Sequence, residues 1–190
     1  MREYKTVRNS ILSINKTRRP RRGSLTRIFM MKHAFTKTQK LTFSALIAAS
    51  YFAVMFVTQG FSFGPYQIRI ATAIYATAYP FPFLVLPLAL ANSFSNMLGG
   101  FGMLDIVGGF AVGLATAGLA ALARTCKLPM LLVIPVIIFA PGLIVPLWLS
   151  PLTGVPYWTL VLSLSIGQTA PAIFGYILIK ALSKRKVVEQ

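Results

Sequence analysis

Acidic side chains are nearly missing from this sequence, and this feature limits its possible folds more than any other. Asp105 is the only acidic residue between Glu3 and Glu189, and long apolar runs fill most of the chain between them. Hydrophobic residues make up 56% of the chain and charged residues 12%, whereas a typical soluble domain has about 25% charged residues. The sequence therefore predicts an all-α integral membrane protein, since apolar helices satisfy their own backbone in lipid.

Counting the apolar runs predicts about six transmembrane helices in one bundle. A bilayer needs roughly 20 apolar residues per helix, and the second run is shorter than this. The transmembrane domain is predicted at 40–182, between a basic and disordered arm at 1–39 and a basic tail at 183–190. The runs lie at 41–58, 68–79, 83–91, 106–123, 128–149 and 160–179.

The chain has a formal net charge of +16, and its positive charge is concentrated in three places. The arm, the loop ARTCK at 123–127 and the tail carry almost all the Lys and Arg residues. Loops of this kind face the cytoplasm, so we expect a plasma-membrane protein with both termini cytoplasmic. Membrane lipid is the expected partner of these charges. RNA binding by the arm is the alternative, and we do not expect a nucleic-acid partner.

The residues needed for most enzyme chemistry are scarce. Cys126 can form no internal disulfide, and no Cys/His cluster suggests a metal. One histidine, His33, and one acid in the apolar region leave no nucleophile–base pair, so neither an enzyme nor a cofactor is expected. The chain also has no G-x-x-x-x-G-K phosphate loop with which to hydrolyse ATP.

The predicted orientation brings three loops, 59–69, 92–105 and 150–158, to the outer face. A few polar groups in an apolar wall are typical of small-molecule sites, so these loops and the adjoining helices predict an outward-facing pocket. The candidate substrate-binding residues are Arg69, Asn92, Asn96, Asp105, Trp158 and Gln168.

Three of these candidates also have a structural interpretation. Asp105 follows a glycine-rich turn and can cap a helix. Arg69 can extend to the membrane interface, but we favour an inward orientation, with Asp105 as its only plausible carboxylate partner. Asn92 can hydrogen-bond between helices without touching a substrate.

Small residues recur every four positions in the first apolar run, at Ala45, Ala49 and Ala53. Such spacing on one helical face lets another helix approach closely. The partner is either a second protein or another helix of the same bundle.

Three stretches carry a family resemblance: FGPYQIRIATAI at 63–74, ALANSFSNMLGGFGMLDIVGG at 89–109 and SLSIGQTAPAIFGY at 163–176. Over roughly 40–182 the chain resembles the QueT family, substrate-binding S components of energy-coupling-factor (ECF) transporters. The resemblance implies a six-helix S-component bundle that captures a queuosine precursor, a 7-deazaguanine base, from outside. It also implies a transmembrane coupling subunit docked on the alanine face, with Ala45 and Ala49 matching, and two partner ATPases.

Two departures from the family pattern concern the ligand. Thr72 and Gln168 stand where family members typically have acids, which adds Thr72 to the substrate-binding candidates. The ligand is then either a neutral variant of the family's base or another vitamin-like compound. A self-sufficient, proton-coupled secondary transporter using Asp105 is the competing function.

Overall fold

The structure, a computed structural model, describes residues 35–63 and 67–184, and within these ranges it contains helices and no strand. The predicted arm up to residue 34 and the end of the tail from residue 185 lie outside the described residues. Seven α-helices are described: α1 Lys37–Val57, α2 Gln59–Ser62, α3 Val85–Asn96, α4 Met103–Thr125, α5 Val133–Ile144, α6 Pro146–Thr153 and α7 Tyr157–Lys184. Short 3-10 helices cover Ile70–Ala78, Pro82–Leu84, Met97–Gly99 and Met130–Leu132.

Five helical segments of the described chain are long and apolar enough to cross a membrane. Two of them combine α-helices with short 3-10 helices: Pro82–Gly99 contains α3, and Met130–Thr153 contains α5 and α6. The prediction of an all-α membrane bundle is therefore confirmed. The five segments are Lys37–Val57, Pro82–Gly99, Met103–Thr125, Met130–Thr153 and Tyr157–Lys184.

The second predicted span forms the 3-10 helix Ile70–Ala78, which we call the 3-10 segment. The Thr77 hydroxyl donates to the carbonyl of Ile74, three residues earlier, at 2.7 Å, which suits 3-10 spacing. A 3-10 helix rises about 2.0 Å per residue, against about 1.5 Å for an α-helix. The same number of residues therefore spans a greater length of the bundle as a 3-10 helix than as an α-helix.

The two ends of the 3-10 segment lie at opposite ends of the bundle. At one end Arg69 donates to Asn96, close to the start of α4. At the other end the hydroxyl of Tyr79 donates to the backbone oxygen of Leu128, just beyond the end of α4, at 2.8 Å. The 3-10 segment thus passes through the bundle in far fewer residues than the long helices need.

Helix α1 begins at Lys37, four residues before the predicted apolar run. Thr36 accepts from the backbone N–H of Gln39, and the Gln39 side chain accepts from the Thr36 N–H, which forms a capping box. Only 17% of the α1 span is buried, whereas 50% of the α4 span is. Helix α1 therefore lies at the edge of the bundle and α4 at its centre.

Close backbone contacts hold the central helices together. A Cβ atom added at Gly113 of α4 would lie 2.9 Å from the Cα atom of Ala89 in α3. One added at Gly175 of α7 would lie 2.7 Å from the carbonyl oxygen of Ala73 in the 3-10 segment. Because glycine lets these backbones touch, the polar side chains that project between the helices are brought within bonding distance of one another.

Candidate functional site

A small polar cavity lies where the 3-10 segment meets α3, α4, α5 and α7. Its volume is about 10 Å³, which is roughly the space that one water molecule requires. Four of the predicted substrate-binding residues line it together. The polar lining consists of Gln67, Arg69, Thr72, Tyr75, Asn92 and Gln168, and the apolar wall consists of Val112, Pro141, Val145 and Leu164.

The Arg69 side chain points into the bundle, as expected, and is only 5% exposed. Its Nη1 donates to Oδ1 of Asn96 at 3.0 Å, and its guanidinium carbon lies 4.9 Å from the centre of the Phe63 ring. Its Nε has no hydrogen-bond partner. Arg69 is thus a fixed positive charge at the cavity with one donor unused.

Thr72 and Gln168 contact each other across the cavity, although 96 residues separate them in the chain. The Thr72 hydroxyl oxygen lies 2.6 Å from the backbone oxygen of Arg69 and 2.6 Å from Oε1 of Gln168. A hydroxyl has one proton, so both contacts are satisfied when the Gln168 amide turns its NH₂ group towards Thr72. Thr72 and Gln168 therefore form a neutral pair.

Asn92 lines the cavity and also forms hydrogen bonds between helices, as its structural interpretation predicted. Its Nδ2 donates to the backbone oxygen of Gly109 at 2.6 Å, which joins α3 to α4. Its Oδ1 accepts from the Tyr51 hydroxyl at 2.9 Å, which joins α3 to α1, and Tyr51 in turn lies 3.3 Å from the Tyr75 hydroxyl. Its polar atoms are thus already engaged within the protein.

Asn96 links Arg69 to α4 through the backbone of Asp105. Its Oδ1 accepts from Arg69, while its Nδ2 donates to the Asp105 backbone oxygen at 2.9 Å. The Asp105 carboxylate turns elsewhere: its Oδ1 accepts from the indole Nε1 of Trp148 at 3.0 Å. Arg69 and Asp105, its only plausible carboxylate partner in the sequence, therefore form no ion pair, and the Asn96 amide accepts the hydrogen bond instead.

Asp105 lies in the first turn of α4, and the hydrogen-bonded cap considered for it does not form. The N-cap position, Gly102, has no side-chain cap bond, and the Asp105 side chain bonds to Trp148 instead. Its charge still stabilises the positive end of the helix dipole. The residue is 1% exposed and its Oδ2 has no partner, which is unusual for a buried carboxylate oxygen.

Trp158 lies away from the cavity. It is 70% exposed at the start of α7, where its ring packs against Tyr157 with centroids 5.1 Å apart. The structure does not bring it together with the other substrate-binding candidates.

The alanine face of α1 is open, since Ala45, Ala49 and Ala53 are all exposed. Ala45 also lines an apolar groove of about 760 Å³ between α1 and α3. We call this the α1–α3 groove. Its other lining residues include Leu41, Ala48, Phe52, Leu90 and Phe94.

Two important residues of this region were missed by sequence reasoning. Gln67 is 5% exposed, lines the cavity, has a left-handed backbone (φ 42°) and leaves its Oε1 without a partner. Its place two residues before Arg69 in a turn-rich loop was the available signal. Trp148 sits in an apolar run that continues into α6, where nothing in the sequence distinguishes it from a residue that faces lipid.

The chemistry of this arrangement is recognition. The cavity offers hydrogen-bond donors, acceptors and one positive charge, with no nucleophile beside a base. Among the described residues, no three His, Cys, Asp or Glu side chains come together as metal ligands would. A small polar molecule is what these groups can hold.

Comparison with protein-family models gives one finding: the model described as QueT transporter matches residues 41–184. That range covers more than half of the 190 residues and includes every membrane segment of the described structure except the first turn of α1. Comparisons with curated proteins and with solved structures gave no match.

Proposed function

Since the chain belongs to the QueT transporter family, whose members are S components of ECF transporters, we propose that it captures a queuosine precursor or a related vitamin-like compound. It is a multi-pass membrane transport protein, not an enzyme. In this proposal a 7-deazaguanine base enters from outside, and partner ATPases drive its uptake. The observation that carries the proposal is a buried polar cavity in which two polar atoms remain unpaired.

Unpaired buried atoms support a ligand because proteins pair nearly all such groups. Arg69 Nε is a donor and Gln67 Oε1 an acceptor, and both residues line the cavity. Leaving a buried polar group without a partner costs roughly 1–3 kcal/mol. A ligand that paired with both atoms would recover this free energy on binding.

The cavity must enlarge to admit such a ligand. Its volume is about 10 Å³, whereas small-molecule pockets usually measure roughly 300–1,000 Å³. The wall contains Pro141 inside α5 and a break at Val145 before Pro146 begins α6, and each proline lacks the backbone N–H of a regular helix. We place the opening motion there, between α5–α6 and the 3-10 segment.

The open face of α1 supports a protein partner. Ala45, Ala49 and Ala53 are exposed, and the helix is the least buried of the five spans. In the family this is the helix on which the transmembrane coupling subunit docks, so we assign the face to that subunit, which carries two ATPase subunits. Lipid would cover it between docking events.

The ends of the bundle support cytoplasmic termini in the plasma membrane. Lys40 lies 5.7 Å from the centre of the Phe83 ring, at the bundle end where Tyr79 bonds to Leu128. Lys127 adds positive charge beside Leu128, and such charge favours the cytoplasmic side. The polar cavity is lined by Arg69, at the other end of the 3-10 segment, and would therefore open outwards.

Ligand identification tests the proposal. The full chain is purified in detergent, co-purified small molecules are identified by mass spectrometry, and thermal shifts are measured with 7-deazaguanines and a panel of vitamins. We expect a shift with a deazaguanine that Arg69→Met loses and Trp158→Phe keeps. A shift with another compound, and none with deazaguanines, would overturn the substrate class while leaving the family membership in place.

One observation favours the competing function, a proton-coupled carrier. Asp105 is buried in the apolar region, and its Oδ2 has no hydrogen-bond partner. Reconstitution in proteoliposomes separates the two mechanisms. Uptake by the chain alone, driven by a proton gradient and lost in Asp105→Asn, would support the carrier. Uptake that requires added ATPase subunits and ATP would support the S component.

A further inference from the structure

If the proposed function holds, on which this inference rests, the charge of the cavity lining restricts the charge of the ligand. We infer that the site selects a ligand without positive charge that offers both a hydrogen-bond acceptor and a hydrogen-bond donor, as a lactam does. Among 7-deazaguanines, this means that a neutral substituent is accepted and an aminomethyl cation is rejected.

The side chains that line the cavity carry a net positive charge. Arg69 contributes one positive charge, and the other polar lining residues are neutral amides and hydroxyls. A cation that entered would meet the guanidinium with no carboxylate to offset it, at an effective dielectric constant far below that of water. Desolvation of the cation would add to this repulsion.

Asp105 does not add a negative charge to the cavity lining. Its carboxylate bonds to Trp148, and the residue is not part of the cavity lining. Only its backbone oxygen is connected to the site, through Asn96 and Arg69. The Asp105 carboxylate is therefore directed towards Trp148 rather than into the cavity.

The cavity lining has hydrogen-bonding atoms that no other protein group pairs with. Thr72 and Gln168 contact each other, and Asn92 is engaged by Tyr51 and Gly109. Among the lining residues, two side chains have a buried atom without a partner: Arg69 Nε, a donor, and Gln67 Oε1, an acceptor. A ligand with one carbonyl and one N–H can pair with both atoms and needs no charge.

Two ligands that differ at one substituent test the inference. We measure the affinities of 7-cyano-7-deazaguanine, which is neutral, and 7-aminomethyl-7-deazaguanine, which is a cation, by titration calorimetry on the full chain in detergent. We expect the neutral compound to bind about tenfold more tightly or better, the ratio associated with a charged hydrogen bond. Equal affinities, or tighter binding of the cation, would overturn the inference while keeping the proposed function. If neither compound binds, the deazaguanine part of the proposed function fails, and the inference fails with it.

Isosteric variants show whether the lining charge causes the preference. Gln168→Glu and Gln67→Glu each add a carboxylate to the lining without changing its shape, so each should shift the preference towards the cation by about tenfold. Gln168→Met removes the amide without adding charge and should leave the order of the two ligands unchanged. If both folded Glu variants keep the wild-type ratio, the lining charge does not set the preference and the inference is wrong.

Discussion

Two concavities of the described structure contrast in both size and chemistry. The α1–α3 groove measures about 760 Å³ and has an almost wholly apolar lining, whereas the polar cavity measures about 10 Å³. Size alone would place the ligand in the groove. The groove, however, lacks the convergent polar groups that orient a small molecule. An open apolar face suits a helix or lipid chains, and a closed polar cavity suits a polar ligand that must be enclosed.

Helix α1 takes part in both regions through opposite faces. Tyr51 on its inner face bonds to Asn92 beside the cavity, while Ala45 and Ala49 are exposed on its outer face. A change on one face should therefore affect docking, and a change on the other should affect the bundle. The following variants test that division.

The largest effect is expected on the outer face. Ala45→Leu or Ala49→Leu should abolish uptake and leave ligand binding unchanged, because a bulky side chain would hold the docking helix away. Uptake is measured in proteoliposomes with the ATPase complex, and binding by calorimetry. Ala170→Leu, at an exposed alanine of α7, is the matched control and should transport normally. Normal uptake by both α1 variants would show that docking does not use this face.

A smaller effect is expected where Asp105 anchors Trp148. Asp105→Ala removes the acceptor of the indole N–H and should lower the free energy of unfolding by about 1.5–3 kcal/mol, as for a hydrogen bond to a charged group. Asp105→Asn keeps an acceptor in place and should cost less. Thermal unfolding in detergent is the measurement. If ligand affinity falls in Asp105→Asn while stability is kept, the carboxylate acts on the ligand after all.

A pair of glycine variants on α4 tests the packing of the same tryptophan. In Gly108→Ala the new Cβ would lie 2.6 Å from Cε2 of Trp148, so the ring must move, and we expect a loss of about 1–3 kcal/mol from overpacking. Gly118→Ala is the control, since nothing lies within 4 Å of its Cβ position. It should be neutral or more stable by about 0.4–1 kcal/mol. Tryptophan fluorescence and unfolding temperature would report both, and equal behaviour of the two variants would contradict the described position of Trp148.

The smallest effect is expected on the inner face of α1. Tyr51→Phe removes the donor to Asn92 Oδ1 and keeps the ring packed on Tyr75, so a loss of about 0.5–1.5 kcal/mol is expected. Uptake should continue, because the alanine face is unchanged. Unfolding and uptake are measured side by side. Loss of uptake at full stability would mean that the two faces of α1 are coupled rather than separate.

Part of the fold could be predicted from the sequence because apolar runs act locally. A long stretch without charges must become a helix in lipid, whatever surrounds it, and this explains the five long spans. Arg69 was also expected to point inwards, since its neighbours in the chain are apolar or small. The 3-10 form of Ile70–Ala78 was not predicted, although that run was expected to be short.

What the tertiary structure decided is which polar groups meet. Thr72 and Gln168 are 96 residues apart, and Asp105 and Trp148 are 43 apart. No local pattern reports such pairs, because each depends on how the helices rotate and pack. The sequence by itself determined a helical membrane protein with few polar groups inside it. Only the tertiary packing decided that the Asn96 amide, rather than the Asp105 carboxylate, accepts a hydrogen bond from Arg69, and Gly109 leaves the space that the Asn96 side chain occupies.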